Sequence, residues 1–383
     1  MPIDTNLTTI KEAYNPKDNL FDLLRFVFAV MVIYSHSFVL LKGQGGSEDL
    51  LAKITNNQIS AGSLAVNCFF VLSGFLIMQS LSSTPSISQY IKNRFLRIFP
   101  AFFVSLFLIS FIIGPFLTVL PSSEYFKMNQ GGPVDFIFKN ITFNIFGYSW
   151  TVRDLFQENP YPGSANGSMW TLKHEVAMYM FLPLTAFFLL IKIRRLFLLL
   201  TVILSFLSVF NLLYNYKLFN LVGDTFWILS SNEYDNFIRL TPYFLIGSLL
   251  YLYRDRVVLH YRLVIFCLML LLVGVKVGLF NIVLIVALPY TIITLAIKIR
   301  FSVFRKYGDF SYGMYIYAFP IQQLLAYKWG ESLTVFSFFL LSTFGTLIAA
   351  ILSWHIIEKR ALKLKDFKFR RDHNKKNEKI PSL

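Results

Sequence analysis

The stretch LFDLLRFVFAVMVIYSHSFVLL (20–41) decides the fold. It is 22 residues long, and its ionised side chains are limited to Asp22 and Arg25. A helix of about 20 predominantly apolar residues spans the hydrocarbon core of a bilayer. Because the run is too long for the apolar core of a signal peptide and has no small-residue cleavage site, it predicts a retained transmembrane helix.

Apolar runs of similar length recur along the whole chain of 383 residues. The composition is 55% hydrophobic, 17% aromatic and 15% charged, whereas a soluble domain has about 25% charged residues. The sequence therefore predicts an all-α polytopic membrane protein with about ten transmembrane helices and almost no soluble domain. The predicted spans are 20–41, 62–82, 99–120, 168–191, 196–214, 238–253, 262–276, 281–297, 310–328 and 334–356.

The net charge of +15 is distributed unevenly between the two sides of the membrane. With the N-terminus inside, 25 of the 36 lysines and arginines lie on the inner side and nine on the outer side. An excess of lysine and arginine marks cytoplasmic loops, so both termini are predicted to be cytoplasmic. The same bias accounts for the net charge without a nucleic-acid partner.

The chain divides into a cytoplasmic leader (1–19), a transmembrane domain (20–356) and a basic cytoplasmic tail (357–383). The longest outer connection, 121–167, is rich in Gly, Pro, Asn and aromatic residues. It is too short for an independent catalytic domain, and its segment 136–148 is a candidate for insertion into the membrane interface. The tail is expected to contact anionic lipid.

Arg25 and His36 lie within the first predicted span, where ionisable groups are expensive and usually functional. Their spacing of eleven residues places them about 20° apart around the helix axis and about 16 Å apart along it. They therefore share one face, with Arg25 towards the cytoplasm and His36 towards the outer half of the bilayer. Taken singly, Arg25 could be an interfacial anchor, and His36 could be a polar residue in a helix contact. Their position on one face favours a functional site that contains both.

Arg94 and Arg97 occur in RFLRIFP (94–100), which is predicted to open the third span on the same side as Arg25. Their spacing of three places both on one helix face. Three guanidiniums there could hold a polyphosphate through bidentate, charge-assisted hydrogen bonds. The simpler interpretation is positive charge that fixes the topology.

Glu175 lies about one turn inside the fourth span, in WTLKHE (170–175). A carboxylate at that depth requires a partner or a water-filled cavity. Glu175 therefore either belongs to a functional site or forms a structural hydrogen bond between helices. His174 faces elsewhere on the helix, and its simpler interpretation is an interfacial polar residue. A carboxylate near an imidazole can orient the ring and stabilise its protonated form.

FFVLSGFLI (69–77), in the second span, contains the small pair Ser73 and Gly74. Small residues let helices approach closely in a membrane, so the pair is predicted to serve packing. A single serine without a nearby base is poor evidence for a nucleophile. Ser73 is therefore an accessory candidate rather than a catalytic one.

Five segments together resemble the membrane-bound acyltransferase family 3, whose members include O-antigen O-acetylases and nodulation-factor acetylases. The resemblance covers roughly residues 18–363, in order and at the spacing of the family. Each motif is weak alone, whereas the ordered set is specific. The segments are Arg25 with His36, FFVLSGFLI (69–77), RFLRIFP (94–100), WTLKHE (170–175) and SYGMYIYAFP (311–320).

The resemblance implies an O-acyltransferase of a bacterial inner membrane. It would move an acetyl group from cytoplasmic acetyl-CoA to a hydroxyl of a cell-surface or lipid-linked glycan, with membrane lipids as further partners. No metal, bound cofactor or nucleic acid is expected. The implied roles are catalysis for His36 and Glu175, donor binding for Arg25, Arg94 and Arg97, and an accessory part for Ser73, Trp170 and Tyr312.

Two positions depart from the family pattern. Asn67 stands where an acid is frequent, and Ala318 stands where a histidine is frequent. Neither can supply a proton, which leaves His36 and Glu175 as the titrating groups, and both direct transfer and an acyl-enzyme intermediate stay open. The alternative functions are a membrane transporter or flippase, which would also line a pathway with buried charges, and a polymerase of surface polysaccharide.

Overall fold

The computed structural model describes residues 8–43, 48–143, 149–188, 191, 193–214, 231–301 and 306–366, with the backbone alone for 231–234 and 366. Ten helices of 17 to 23 residues dominate the described part of the chain, and each overlaps one predicted span. They are α1 (Phe21–Lys42), α2 (Ala61–Ser83), α3 (Ile87–Phe107), α4 (Met169–Phe187), α5 (Arg194–Leu213), α6 (Ser231–Leu252), α7 (Tyr261–Val277), α8 (Phe280–Lys298), α9 (Ser311–Trp329) and α10 (Val335–Ser353).

Shorter helical elements connect or extend these ten helices. Two of them are π-helical turns, which prolong α3 and α10 without a break. In chain order the shorter elements are Ile10–Ala13, Leu50–Ile54, Leu108–Ile113 (π), Gly114–Leu117, Ser122–Tyr125, Pro133–Ile141, Trp354–Glu358 (π), Lys359–Lys363 and Leu364–Asp366 (3₁₀).

A two-residue antiparallel ladder is the exception to the predicted all-helical fold. It pairs β1 (Thr8–Thr9) with β2 (Val258–Leu259). The backbone N–H of Ile10 extends it by donating to the carbonyl of Val257 at 2.9 Å. The ladder joins the leader to the connection between α6 and α7. These two segments therefore lie on the same side of the bundle, as the predicted alternation of loops requires.

Six helices are long and apolar enough to cross a membrane, judged on the described residues. They are α1, α2, α3 with its extension to Leu117, α5, α8, and α10 with its extension to Lys363. This supports the prediction of a multi-pass, predominantly helical membrane protein. The remaining four helices, α4, α6, α7 and α9, occupy predicted spans but are shorter or more polar.

The third helix begins at Ile87, twelve positions before the predicted start of the span at residue 99. Its N-cap is Ser86, whose hydroxyl accepts a hydrogen bond from the backbone N–H of Gln89 at 3.2 Å. The prediction followed the apolar run alone and missed this capped polar segment. Arg94 and Arg97 therefore lie two to three turns inside α3, not at its opening.

Gly74 lets α2 and α6 pack backbone against backbone. A Cβ at Gly74 would lie 1.9 Å from the carbonyl oxygen of Phe244, and one at Gly247 would lie 2.2 Å from that of Val71. The hydroxyl of Ser248 donates to the Gly74 carbonyl at 3.0 Å and bridges the two helices. The structure thus agrees with the close approach predicted from the small pair Ser73 and Gly74.

The long connection 121–167 folds back onto α9 through one buried glutamine. Gln323 is fully buried, and its amide N–H groups donate to the carbonyls of Ser164 at 2.8 Å and Tyr161 at 2.9 Å. Its side-chain oxygen accepts from Asn159 at 2.7 Å. Of the segment predicted to enter the interface, residues 144–148 lie outside the described residues, as does the tail beyond 366.

Replacement of Gly74 by alanine tests this packing. Gly74→Ala is expected to destabilise the protein, because overpacking of this kind typically costs about 1–3 kcal/mol. Gly345→Ala is the matched control, since a Cβ there meets its nearest atom, Ile321 Cγ2, at an ordinary 3.5 Å. Thermal unfolding of both purified variants in one detergent measures the difference. Equal melting temperatures for the two variants would contradict the close approach.

Candidate functional site

Three cavities follow one another through the bundle. The lower cavity, about 450 Å³, is lined by the leader, α2 and the connection before α9, with Asn19, Gln79 and Asp309 among its walls. The arginine cavity, about 60 Å³, contains Arg25. The histidine cavity, about 460 Å³, contains His36. Each is joined to the next by a shared wall or ion pair.

Asp309 brings Arg25 of α1 and Arg97 of α3 together. Its Oδ2 accepts hydrogen bonds from Arg25 Nη1 at 3.0 Å and from Arg97 Nη2 at 2.5 Å. Its Oδ1 accepts from the hydroxyl of Ser311, the first residue of α9, at 2.5 Å. Two arginines that the sequence assigns to one side of the membrane therefore meet at one carboxylate, between the lower cavity and the arginine cavity.

Arg97 is held from several sides. Its Nη1 donates to Glu358 Oε2 at 2.9 Å, and Glu358 is 1% exposed. The guanidinium also lies over the rings of Tyr312, at 5.5 Å, and Trp354, at 5.8 Å. Paired carboxylates and aromatic faces are the partners that suit a planar guanidinium. Arg97 is thus fixed in one orientation in the wall of the arginine cavity.

Asp309 stays ionised in this setting. Burial raises the pKa of its carboxyl, but Arg97, Arg25 and the hydrogen bonds from Ser311 outweigh that effect and bring the pKa to about 2. An isolated charge in a protein interior is costly, so the carboxylate and the guanidiniums depend on one another. Two of the three predicted donor-binding arginines therefore already have an anionic partner.

Arg94 is in a different position from the other two arginines. It lies beside Tyr90 and Tyr179, and its Nε has no hydrogen-bond partner among the described residues. No carboxylate of the described chain forms an ion pair with it. Arg94 is therefore a guanidinium next to the arginine cavity whose charge is not committed to a described carboxylate.

Glu175 lies in the arginine cavity and has two hydroxyl partners. Its Oε1 accepts from Ser73 Oγ at 3.2 Å and from the hydroxyl of Tyr179. The structure thus gives Ser73 a carboxylate neighbour, 102 positions away in the chain, which spacing along the sequence does not reveal. Glu175 and His36 line different cavities, and no hydrogen bond between described atoms joins them.

His36 faces the histidine cavity near the C-terminal end of α1. Its ring meets the ring of Phe319 edge-on at 5.4 Å, and its Nδ1 has no hydrogen-bond partner among the described residues. The adjacent Ser35 donates to Asp49 at 2.7 Å, which brings a buried carboxylate to the same cavity. His36 therefore has a buried ring nitrogen that no described protein group occupies.

Tyr315 and Val66 divide the arginine cavity from the histidine cavity, since both residues line both spaces. The hydroxyl of Tyr315 is hydrogen-bonded to that of Thr171 on α4, one turn before Glu175. Tyr315 and Val66 therefore stand at the boundary between the two cavities.

The other predicted residues are found around these cavities. Trp170 lines the histidine cavity, and Tyr312 lines the arginine cavity while donating its hydroxyl to the Ile98 carbonyl at 2.8 Å. His174 is 5% exposed and packs against Trp170 and Phe237, so it is buried between helices.

Sequence reasoning missed Asp309, Glu358 and Tyr315. Asp309 directly precedes SYGMYIYAFP (311–320), the segment that carries Tyr315, and Glu358 lies just beyond the last predicted span. The available signal was charge: three arginines beside a membrane interior require carboxylates nearby. Asp309 and Glu358 are acids next to predicted spans on the same side as those arginines.

The amino-acid sequence of this chain matches a known protein family. A family model described as an acyltransferase domain matches residues 18–355. The chain belongs to acyltransferase family 3. Its matched region includes all ten long helices and each of the predicted site residues.

Individual relatives agree with this assignment. An O-acetyl transferase of Shigella phage Sf6 is 27% identical over 357 residues, which is 90% of this chain and 96% of the relative. Nodulation protein 10 of Rhizobium leguminosarum bv. viciae is 29% identical over 174 residues, 43% of each chain. No solved structure matches the chain at a significant level. The resemblance is confirmed, and so is the prediction of an acyltransferase enzyme of the O-acetyltransferase kind.

Removal of the Asp309 charge tests the ion-pair network. Asp309→Asn should lower the stability by about 3 kcal/mol, because it leaves a buried guanidinium without its counter-charge. Asp255→Asn is the control, since its ion pair with Arg194 is exposed and such pairs contribute at most about 1 kcal/mol. Thermal unfolding in detergent compares them. A loss no larger for Asp309→Asn than for Asp255→Asn would show that the network is not structural.

Proposed function

We propose that this protein is an integral-membrane O-acyltransferase that moves an acetyl group from cytoplasmic acetyl-CoA to a hydroxyl of a cell-surface or lipid-linked glycan. The observation that carries the proposal is the order of the cavities: guanidiniums line one cavity, and His36 lines the next one. A thioester donor and a hydroxyl acceptor could reach one another across the two side chains that separate these spaces.

The proposed topology has ten spans in the bacterial inner membrane, with both termini in the cytoplasm. The inner side carries the larger share of lysine and arginine. The lower cavity is bounded by the leader and by the connection that follows α8, both of which would be cytoplasmic. The histidine cavity, near the C-terminal end of α1, would then open towards the outer side, where the glycan lies.

The donor would enter through the lower cavity. Its phosphates would bind Arg94, which has no described carboxylate partner, and would compete with Asp309 for Arg25 and Arg97. Bidentate bonds from guanidiniums suit phosphate geometry. The pantetheine arm and its thioester would extend through the arginine cavity towards Tyr315. The phosphates of the donor would thus replace Asp309 as the anionic partner of Arg25 and Arg97.

The transfer step would take place at the boundary between the two cavities. His36 would accept the proton of the acceptor hydroxyl while the hydroxyl oxygen attacks the carbonyl carbon of the thioester. General-base assistance of this kind typically raises the reaction rate about 10²–10⁴-fold. The new C–O ester bond forms, the C–S bond breaks, and the departing thiolate takes up the proton that His36 accepted and leaves as free CoA. Tyr315 would have to move aside so that the two substrates meet.

Glu175 and Ser73 would act on the donor side of that boundary. Their hydrogen bond gives Ser73 a neighbouring base, as an acyl-serine intermediate requires. In direct transfer the same carboxylate would instead orient the donor arm, with Tyr179 fixing its position. The transporter and polymerase alternatives are not favoured by any feature of these cavities, and the family match favours acyl transfer.

Loss of the imidazole is the most direct test of this function. His36→Ala should abolish acylation while the protein still accumulates in the membrane, because the proposed base is gone and the carboxylates of the same cavity, Glu48 and Asp49, already accept protein hydrogen bonds. Mass spectrometry of surface glycans, from cells with and without the protein, measures the product as an alkali-labile acetyl mass. His355→Ala is the control, since His355 is exposed and lines none of the cavities.

The outcomes separate the alternatives. An acetyl mass that requires the protein and His36, but not His355, supports the proposal. Wild-type acylation in His36→Ala would remove His36 from the reaction. A protein-dependent acyl mass other than acetyl would change the donor, and unchanged acylation with altered glycan export or chain length would favour a transporter or polymerase.

A further inference from the structure

A fourth cavity, the side pocket, lies between α2, α5, α6 and α8 and has a volume of about 90 Å³. Ser63 lines both this pocket and the histidine cavity, so the two spaces are neighbours. The proposed transfer step uses none of the side chains that give the pocket its polar character. Those side chains are Gln58, Ser63, Asn67, Ser208, Arg239 and Asn281.

Two polar atoms in the wall of the side pocket lack a partner. Asn67 Oδ1 and Ser208 Oγ have no hydrogen bond within the described residues, although Asn67 is 3% exposed and Ser208 is 1% exposed. Buried polar groups in native proteins are nearly always hydrogen-bonded. A cavity of this volume can hold several waters or a polar substituent of a ligand. The pocket can thus accept a hydroxyl-bearing occupant.

Arg239 supplies positive charge to the same pocket. Its Nη2 donates to Asn236 Oδ1 at 3.2 Å, and its guanidinium lies over the ring of Trp170 at 5.8 Å. No carboxylate in the part of the chain that the structure describes forms an ion pair with it. A cation within a membrane helix is expensive and usually functional. Arg239 is therefore available to an anion that enters the side pocket.

The charges around the histidine cavity would orient an anionic acceptor. Glu48 and Asp49 line that cavity, and both are committed to protein hydrogen bonds, from Asn57 and from Ser35. An anionic group would be repelled by these acids and attracted to Arg239 in the side pocket. Trp170 lines the histidine cavity and stacks on Arg239, so a ligand could bridge the two spaces.

We propose that the side pocket binds a carboxylate-bearing sugar unit of the acceptor glycan. The carboxylate pairs with Arg239, and the sugar hydroxyls bond to Asn67 and Ser208. The nature of the acceptor rests on the proposed function. Anchored in this way, the glycan presents its reacting hydroxyl in the histidine cavity, and the enzyme selects acidic over neutral glycans.

Binding of a matched pair of disaccharides tests the proposal without requiring turnover. Titration of the purified protein in lipid nanodiscs compares cellobiouronic acid with cellobiose, which has a hydroxymethyl group in place of the carboxylate. The wild type should bind the acid about 10–100-fold more tightly, as expected for a hydrogen-bonded ion pair. Arg239→Gln should bind both disaccharides equally. Asn67→Asp should also lose the preference, because it places a competing carboxylate in the same pocket.

Two control variants keep the test specific. Arg195→Gln, at an exposed position of α5, and His36→Ala should both retain the preference for the acid. Equal affinities in the wild type, or a preference that survives in Arg239→Gln, would overturn the proposal. So would tighter binding of inorganic phosphate than of either sugar. Because binding is measured without acetyl-CoA, loss of the preference is distinguishable from a failure of the proposed acyl transfer.

Discussion

A single buried carboxylate, that of Asp309, sets the arrangement of the site. It pairs with Arg25 on α1 and Arg97 on α3, and Arg97 continues the network to Glu358 beyond α10. Removing any one partner would leave a charge in a medium of low dielectric, which costs several kcal/mol. Four parts of the chain that are far apart in sequence are therefore held at one point, between the lower cavity and the arginine cavity.

Much of the fold could be predicted from the sequence because the bilayer imposes simple rules. Apolar runs such as 20–41 must form helices, and each predicted span is occupied by a helix of 17 residues or more. Arg25 and His36 were recognised because ionisable groups are rare in such runs. The start of α3 was misplaced, since its first turns are polar and are defined by the cap at Ser86 and not by hydropathy.

Other parts of the site depend on tertiary contacts that no local pattern encodes. Helical spacing places residues of one helix on a face, but it does not say which helix lies opposite. Thus Ser73 and Glu175, whose hydrogen bond joins α2 to α4, could not be paired from the sequence. For the same reason, neither Tyr315, at the boundary of two cavities, nor Arg239, in the side pocket, was recognised from the sequence.

The central claim is that the cavities connect opposite faces of the membrane, and cysteine labelling tests it most directly. Cys68 and Cys267 are first replaced by serine, and a single cysteine is introduced at Asn19, in the lower cavity, or at Ser63, in the histidine cavity. A membrane-impermeant maleimide should label Ser63→Cys in intact spheroplasts and Asn19→Cys only after permeabilisation. Labelling of both positions from the same face would contradict the account.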